Sequence, residues 1–241
     1  MTKIALVTGA GSGIGRATAQ LLADRGFGVI TTYHRNPADH VSLPLDVADT
    51  STFPAFADSV RSALGEHWQR DTFDYLVNNA GIGGPSPFAG TTDEAYERYH
   101  RTLLKGPFFL TQALLPLLSD HGAIVNVGSS STRPGVTTPG YAAYAAMKGG
   151  MDMLTRYLAK ELAPIRVNAV SPARGTGVIE VLPVGTARRA RTWATAGSTS
   201  TRSSSRRSSP RRPWTGWGRA TTSARPSPPS SRTTSRGSPA R

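Results

Sequence analysis

The sequence predicts an α/β protein built on a doubly wound parallel sheet, and three observations carry that reading. Short apolar runs alternate with longer amphipathic stretches through the first three quarters of the chain. A glycine-rich turn, Thr8-Gly9-Ala10-Gly11-Ser12-Gly13-Ile14-Gly15, stands between the first apolar run and the first amphipathic stretch. At Gly185 the composition changes abruptly and the alternation stops. Residues 1–184 therefore form the folded domain, and residues 185–241 form a low-complexity tail rich in Arg, Ser, Thr and Pro that is expected to be disordered.

The elements follow in order. Lys3–Thr8 is an apolar strand. Ile14–Arg25 is a helix whose Ile14, Ala17, Leu21 and Leu22 are spaced to face a sheet. Gly28–Tyr33 is a β-branched strand and Ser42–Asp46 a short one. Thr52–Leu64 is helical, Phe73–Asn78 a strand, and Thr92–Leu118 a long helical region with a bend expected at Pro107. Gly122–Gly128 is a strand, Tyr141–Ala163 a helix and Ile165–Val170 a strand. Near-continuous apolar strands alternating with helices predict a parallel sheet covered on both faces. Right-handed crossovers make it doubly wound.

Charge separates the two regimes. The chain of 241 residues carries a formal net charge of +13. Residues 187–241 hold 13 Arg, no Lys and no acidic residue, which leaves 15 basic against 15 acidic residues before them. The domain is neutral, so the basic excess is no argument for specific nucleic-acid recognition by it. There is no cysteine, which excludes disulfides, thiolate catalysis and Cys-ligated metal and suits a cytoplasmic protein. The run Ile4–Val7 is too short for a secretory or membrane-spanning segment, and no membrane association is expected.

Only seven residue types occur in residues 185–241: Ala, Arg, Thr, Trp, Gly, Ser and Pro. All their codons carry G or C in the middle position. A GC-rich gene read out of frame has this property, because its third positions become middle positions. The tail is therefore expected to be a frameshift product, with the shift at or just before Gly185.

The glycine-rich turn ends a strand and opens a helix. Gly9, Gly13 and Gly15 let the backbone approach a pyrophosphate, and Ser12 and Ile14 sit where the helix N-terminus presents its N–H groups. This makes the sheet Rossmann-like, with a dinucleotide as the expected cofactor. The second strand ends in Thr31-Thr32-Tyr33-His34-Arg35-Asn36. An acid there would pair with the ribose 2′-hydroxyl of NAD; Arg35 instead suits a 2′-phosphate, so NADP(H) is favoured over NAD(H). Asp46, closing the third strand, followed by Val47, is placed to meet the adenine, with a helix-leading turn residue as its alternative reading.

Several motifs then agree in order and spacing. The turn at Thr8–Gly15, Asn78-Asn79-Ala80-Gly81 after the fourth strand, Ser129 after the fifth, and Tyr144-x-x-x-Lys148 on the next helix together resemble the short-chain dehydrogenase/reductase family. Pro107–Gln112 and Ile165–Pro172 also look like that family. The resemblance implies an oxidoreductase that transfers a hydride between nicotinamide and a small carbonyl or alcohol. Tyr144 is then the acid/base, Ser129 the donor to the substrate oxygen, and Lys148 the residue that also holds the nicotinamide ribose. Asn79, Ala80 and Gly81 steady the central strand and line the adenine side. A four-residue spacing puts Tyr144 and Lys148 on one helical face, where an ammonium favours a phenolate. The gap from Ser129 to Tyr144 is 15 residues, two longer than the family's, so Ser131 is the alternative serine. Oligomers through Thr92–Leu118 and Tyr141–Ala163 are also implied.

Departures from the pattern point to a second reading, a catalytically impaired dinucleotide-binding remnant. Leu103 stands where the family commonly has a water-holding Asn, and Pro172-Ala173 replaces Pro-Gly. The join Ala163-Pro164-Ile165 is short. The family's substrate-covering segment and last strand fall beyond about residue 180, so the sheet is expected to lack its last strand and to leave Ile165–Val170 as an edge. A nucleic-acid binder acting through the tail is a third reading. The five histidines are dispersed without metal-ligand spacing, and no metal is expected.

Overall fold

A computed structural model describes residues 1–172 and the backbone of Ile179–Leu182. All of these fall within the unit Met1–Ala190. The expected disorder of 185–241 concerns residues outside the described ones.

The sheet contains β1 (Ile4–Val7), β2 (Gly28–Tyr33), β3 (Val41–Pro44), β4 (Phe73–Asn78), β5 (Leu118–Val127), β6 (Arg166–Pro172) and β7 (Ile179–Leu182), in the order β3-β2-β1-β4-β5-β6-β7. The first six run parallel, and the order reverses between β1 and β4. In such sheets the crevice at the reversal, outside the carboxyl ends of the strands, is where ligands bind. The expected edge at Ile165–Val170 is corrected by β7, which pairs antiparallel with β6 from Ala169↔Leu182 to Pro172↔Ile179. Ile179-Glu180-Val181-Leu182 is the last β-branched, apolar stretch before the composition changes, and it supplies the ladder partners that β6 needs.

The helices are α1 (Gly13–Asp24), α2 (Phe53–Trp68), α3 (Asp93–His100), α4 (Gly106–Leu114) and α5 (Ala142–Glu161). Alternate residues of β1 enter different layers. Ile4 and Leu6 join Ile30, Phe53, Val60, Leu64, Leu76, Leu110 and Ile124 under α2, α4 and α5. Val7 joins Ala10, Ala19 and Val29 under α1. Each such fully buried Leu, Ile or Phe contributes about 1.5–3 kcal/mol of transfer free energy. At the amino end of the sheet the carboxylate of Asp74 accepts from Lys3 Nζ (2.8 Å), Ile4 N (2.9 Å) and Arg70 Nη1 (2.9 Å), pinning β1 to β4.

Two expectations change. The region Thr92–Leu118 is interrupted before Pro107, by a π-helical turn at Arg101–Lys105, rather than bent at it. A proline ring collides with the carbonyl four residues earlier, here Leu103, and a wider turn there relieves the collision. Pro107 then occupies the first turn of α4, where its missing N–H costs nothing. Cover on the second face is also only partial among the described residues. Among the described residues α1 alone covers the second face, over β1 and β2. Over β4, β5 and β6 that face is an apolar recess of about 690 Å³.

Candidate functional site

The glycine turn is held from both sides. Gly9 N donates to Thr32 Oγ1 (3.1 Å) and Ala10 N to Thr32 O (2.9 Å). Thr8 Oγ1 accepts from Asn79 N and Ala80 N (3.0 Å each), and Asn79 Nδ2 donates to Thr8 O (2.8 Å) and Gly9 O (3.2 Å). Asn79 and Ala80 thus clasp the turn onto the end of β4. The glycines answer to specific contacts. A Cβ on Gly9 would lie 2.8 Å from Ala80 Cα, and one on Gly15 would collide with the Asn79 side chain and the Gly9 carbonyl. Gly9 and Gly13 also take positive φ, +66° and +55°. Gly13 has nothing within 4 Å of its Cβ position, so the turn opens outward there. Ser12 is the N-cap of α1 and makes no side-chain cap bond, leaving the helix N-terminus without that internal partner. A pyrophosphate fits this arrangement.

Arg35 follows β2 and is exposed; the carbonyl of its neighbour Asn36 lies 2.8 Å from the Cβ position of Gly11, which brings the segment against the turn. Asp46 lies two residues past the end of β3, and its Oδ1 accepts from Ala48 N (2.9 Å). His34 Nε2 approaches its other oxygen at 3.9 Å. Val47 is buried, with its carbonyl against Gly106 at the start of α4. Gly81 sits beside Leu103, whose Cδ2 is 3.2 Å from the Gly81 Cβ position.

The second half of the site is built on α5. Tyr144 stands near its first turn, edge-on to Tyr141 (centroids 6.0 Å apart) and to Tyr99 (6.3 Å). Tyr99 Oη donates to Gly84 O (2.9 Å), which fixes the ring against which Tyr144 rests. One turn on, Lys148 is buried at 7% exposure and its Nζ donates to Val127 O (2.6 Å) at the end of β5. Burial pushes the Lys148 ammonium down to about 8, against an opposing pull from Asp152. Asp152 Oδ2 in turn accepts from Thr132 Oγ1 (2.7 Å), and Thr155 Oγ1 from Asn126 Nδ2 (2.9 Å). Asn126 Oδ1 accepts from Asn78 Nδ2 (2.9 Å).

Ser129 caps a short turn at Ser130–Thr132. Its Oγ accepts from Ser131 N (3.2 Å) and from the Ser131 hydroxyl (2.9 Å). Ser129, Ser131, Tyr141 and Tyr144 line one cavity of about 870 Å³, whose other walls include Gly84, Pro85 and Ile14. Ile14 belongs to the glycine turn and is the residue by which that turn reaches this cavity. Arg35 and Asp46 are not on that wall. Leu103 is 1% exposed and packs with Tyr99, Ala143 and Met147 against Tyr144. Hydrocarbon therefore occupies the place where a hydrated polar group was the alternative. Sequence reasoning missed the roles of Thr8 and Asp152. The second had a signal: it lies four residues after Lys148 on the same helix face. No group of residues fit to hold a metal ion occurs among the described residues.

A nucleotide-type turn at the sheet's reversal, with a Tyr and a buried Lys one helical turn apart beside it, defines the class as a dinucleotide-dependent oxidoreductase fold. The chain belongs to the short-chain dehydrogenase/reductase family. The family model described as enoyl-(acyl carrier protein) reductase matches residues 9–181. Carbonyl reductase [NADPH] 2 of Sus scrofa is 39% identical over 178 residues, 70% of this chain and 70% of its own length. The 3-oxoacyl-[acyl-carrier-protein] reductase FabG of Escherichia coli K12 is 37% identical over 184 residues, 70% of this chain and 72% of its own. Among solved structures, a short-chain dehydrogenase from Streptomyces avermitilis superposes with a TM-score of 0.63 at 34% identity, covering 71% of this chain. This chain spans 65% of that protein's length. Among the described residues no helix is long and apolar enough to cross a membrane.

Proposed function

We propose that the chain is an NADP(H)-dependent oxidoreductase acting on a small carbonyl or alcohol, with Tyr144 as acid/base, Ser129 as hydrogen-bond donor to the substrate oxygen and Lys148 as the cation beside them. One observation carries this reading: Ile14 of the glycine turn, Ser129 and Tyr144 face a single cavity. Nicotinamide supplies the hydride when bound. Gly13, Ser12 and the free end of α1 would hold the pyrophosphate, and Arg35, exposed beside the turn, the 2′-phosphate. Lys148 is cationic at neutral pH yet close to release of its proton, and the Val127 carbonyl holds it in place. It therefore favours charge on a phenolic oxygen one turn away. Ser131 donates to Ser129 and keeps that hydroxyl oriented. Exposed Phe108 and Phe109 on α4 and Met153 and Tyr157 on α5 are the apolar surface through which copies of the chain associate.

The second face over β4–β6, bare among the described residues, favours an alternative, a form that binds dinucleotide but turns over poorly. Titrating NADPH by its fluorescence and assaying turnover of a panel of small ketones separates the two. Tyr144→Phe is expected to bind NADPH within about threefold of wild type and to lose about 10²–10⁴ in kcat. Binding without turnover in the wild-type chain selects the impaired form, and absence of binding by either dinucleotide refutes both.

A further inference from the structure

Asp152 stands between Lys148 and the turn capped by Ser129, and it carries more charge than its bonds require. It lies one turn beyond Lys148 on the same side of α5. The Thr132 hydroxyl is 2.7 Å from Asp152 Oδ2 and 2.9 Å from the Ser129 carbonyl. That hydroxyl has one proton, which the charged acceptor takes. The second carboxylate oxygen, Oδ1, is enclosed and has no hydrogen-bond partner among the described residues, and the same holds for Ser171 Oγ. Both atoms converge on Gly128, the residue before Ser129. Asp152 Oδ1 lies 3.0 Å and Ser171 Oγ 2.9 Å from its Cβ position.

The bond to Thr132 needs only an oxygen acceptor, and an amide would serve. A negative charge with one enclosed, unpaired oxygen is costly, so its use lies outside that bond. The groups around Lys148 identify the use. On α5 Tyr144 lies one turn back, and α3 brings Tyr99 against it. The π-helical turn packed on α5 carries Arg101 and Lys105, and β6 carries Arg166, all exposed. On β5, Asp120 and His121 are exposed at the end away from Val127. Arg133 follows the Ser130–Thr132 turn, which has no ionisable side chain. Among the described residues Asp152 is the carboxylate that acts on Lys148, opposing the effect of burial.

We propose that Asp152 is a positioning residue for the reaction proposed above: its charge is the counter-ion of the buried Lys148, and its bond to Thr132 ties that cation to the turn carrying Ser129. The inference rests on the roles assigned to Lys148 and Ser129. Asp152 acts through Lys148 and Thr132, not on substrate or dinucleotide directly. An opposite charge at one-turn spacing favours the ammonium by about one pH unit or more. Without it, Lys148 loses its proton in the neutral range.

The test is the titration of Lys148 in the full chain. The chain has four lysines, so isotope-labelled protein gives few ε-carbon NMR signals, and Lys148→Met identifies the one in question. Asp152→Asn keeps an acceptor for Thr132 and removes the charge. It is expected to lower the Lys148 midpoint by about one pH unit, and Asp152→Glu to leave it near the wild-type value. An unchanged midpoint in the Asn variant, or an equal fall in the Glu variant, overturns the proposal. Should Asp152→Asn fail to fold, Asp152→Gln against Asp152→Glu makes the same comparison. Turnover of a small ketone with NADPH is then read at pH 6 and pH 8. With the wild-type midpoint at about 8, Asp152→Asn is expected to lose about fivefold in kcat/KM at pH 8 and less than about twofold at pH 6. An equal loss at both pH values is what a purely structural role would give, and it overturns the proposal. The NMR titration needs neither cofactor nor substrate, so a wild-type chain without turnover refutes the proposed activity separately from the pairing of Asp152 with Lys148.

Discussion

Lys148→Met is expected to remove activity and at the same time to stabilise the fold at neutral pH, by an amount that shrinks as the solution becomes alkaline. The ammonium is buried on α5 and ionises near 8 instead of 10.5, chiefly because burial disfavours the charged form. A folded value below the unfolded one means that the unfolded chain holds the proton more tightly. The penalty is therefore fully present below about 8 and fades as pH rises toward 10.5. From those two values the cost of keeping Lys148 charged is about 3 kcal/mol at pH 7 and about 1 kcal/mol at pH 9.5. Methionine fills a similar volume without charge but leaves Val127 O without its donor, which returns about 1–3 kcal/mol of the gain. The net gain at pH 7 is about 1 kcal/mol, and the difference between the variant and wild type falls by about 2 kcal/mol between pH 7 and pH 9.5. Urea unfolding of both proteins at the two pH values measures this. A stability difference independent of pH, or one that grows in favour of the variant at pH 9.5, refutes the account of a strained buried cation.

Other substitutions probe the rest of the architecture. Asp74 is pushed up by burial, but the bonds from Lys3, Ile4 N and Arg70 outweigh this and hold it below 3.8. Its contribution is therefore present above that value and lost as pH falls through the folded one. Asp74→Asn is expected to cost about 2–4 kcal/mol at pH 7 and to flatten the loss of stability in acid, measured as urea midpoints at pH 7 and pH 3. Gly15→Ala places a methyl group against Asn79 and the Gly9 carbonyl. It is expected to cost about 1–3 kcal/mol and to weaken NADPH binding at least tenfold, seen by thermal melting and fluorescence titration. Arg35→Glu is expected to weaken NADPH relative to NADH by about a factor of ten or more, consistent with loss of one charge-assisted phosphate pair. Unchanged relative affinity removes Arg35 from the site.

The layout of the sheet was legible because β1, β2 and β4–β6 are short apolar runs bounded by glycine or polar residues, and because the glycine turn sits between β1 and α1. What local pattern left open was set by long-range contact. Periodicity over Thr92–Leu118 shows a helix but not that the ring of Pro107 forces a wider turn at Arg101–Lys105. Apolar strands imply two covered faces, yet the cover over β4–β6 would have to follow β6, where this chain changes character. The glycines of the turn were read as room for a phosphate. Gly9 and Gly15 turn out to be small because Ala80 and Asn79 press against them, a constraint that arises 64 residues or more along the chain. Tyr144 and Lys148 could be paired from spacing alone. The carbonyl that holds Lys148 could not, since Val127 meets it only when α5 lies on β5.

That docking gives the site its rigidity. Tyr144, Lys148, Asp152 and Thr155 follow one another along one side of α5 at helical spacing, and the last three each bind something beyond the helix: Val127 O, the Thr132 hydroxyl and the Asn126 amide. Asn126 continues through Asn78 to Thr111 of α4, so hydrogen bonds run across the sheet beneath the apolar contacts of Met147 and Met151. Apolar packing alone tolerates small sliding of a helix over a sheet, because one methylene contact replaces another at little cost. Hydrogen bonds do not, since a shift of about 1 Å leaves a buried polar atom without its partner. The polar side of α5 therefore fixes where Tyr144 stands relative to Ser129 at the end of β5, the distance on which proton transfer in the proposed reaction would depend.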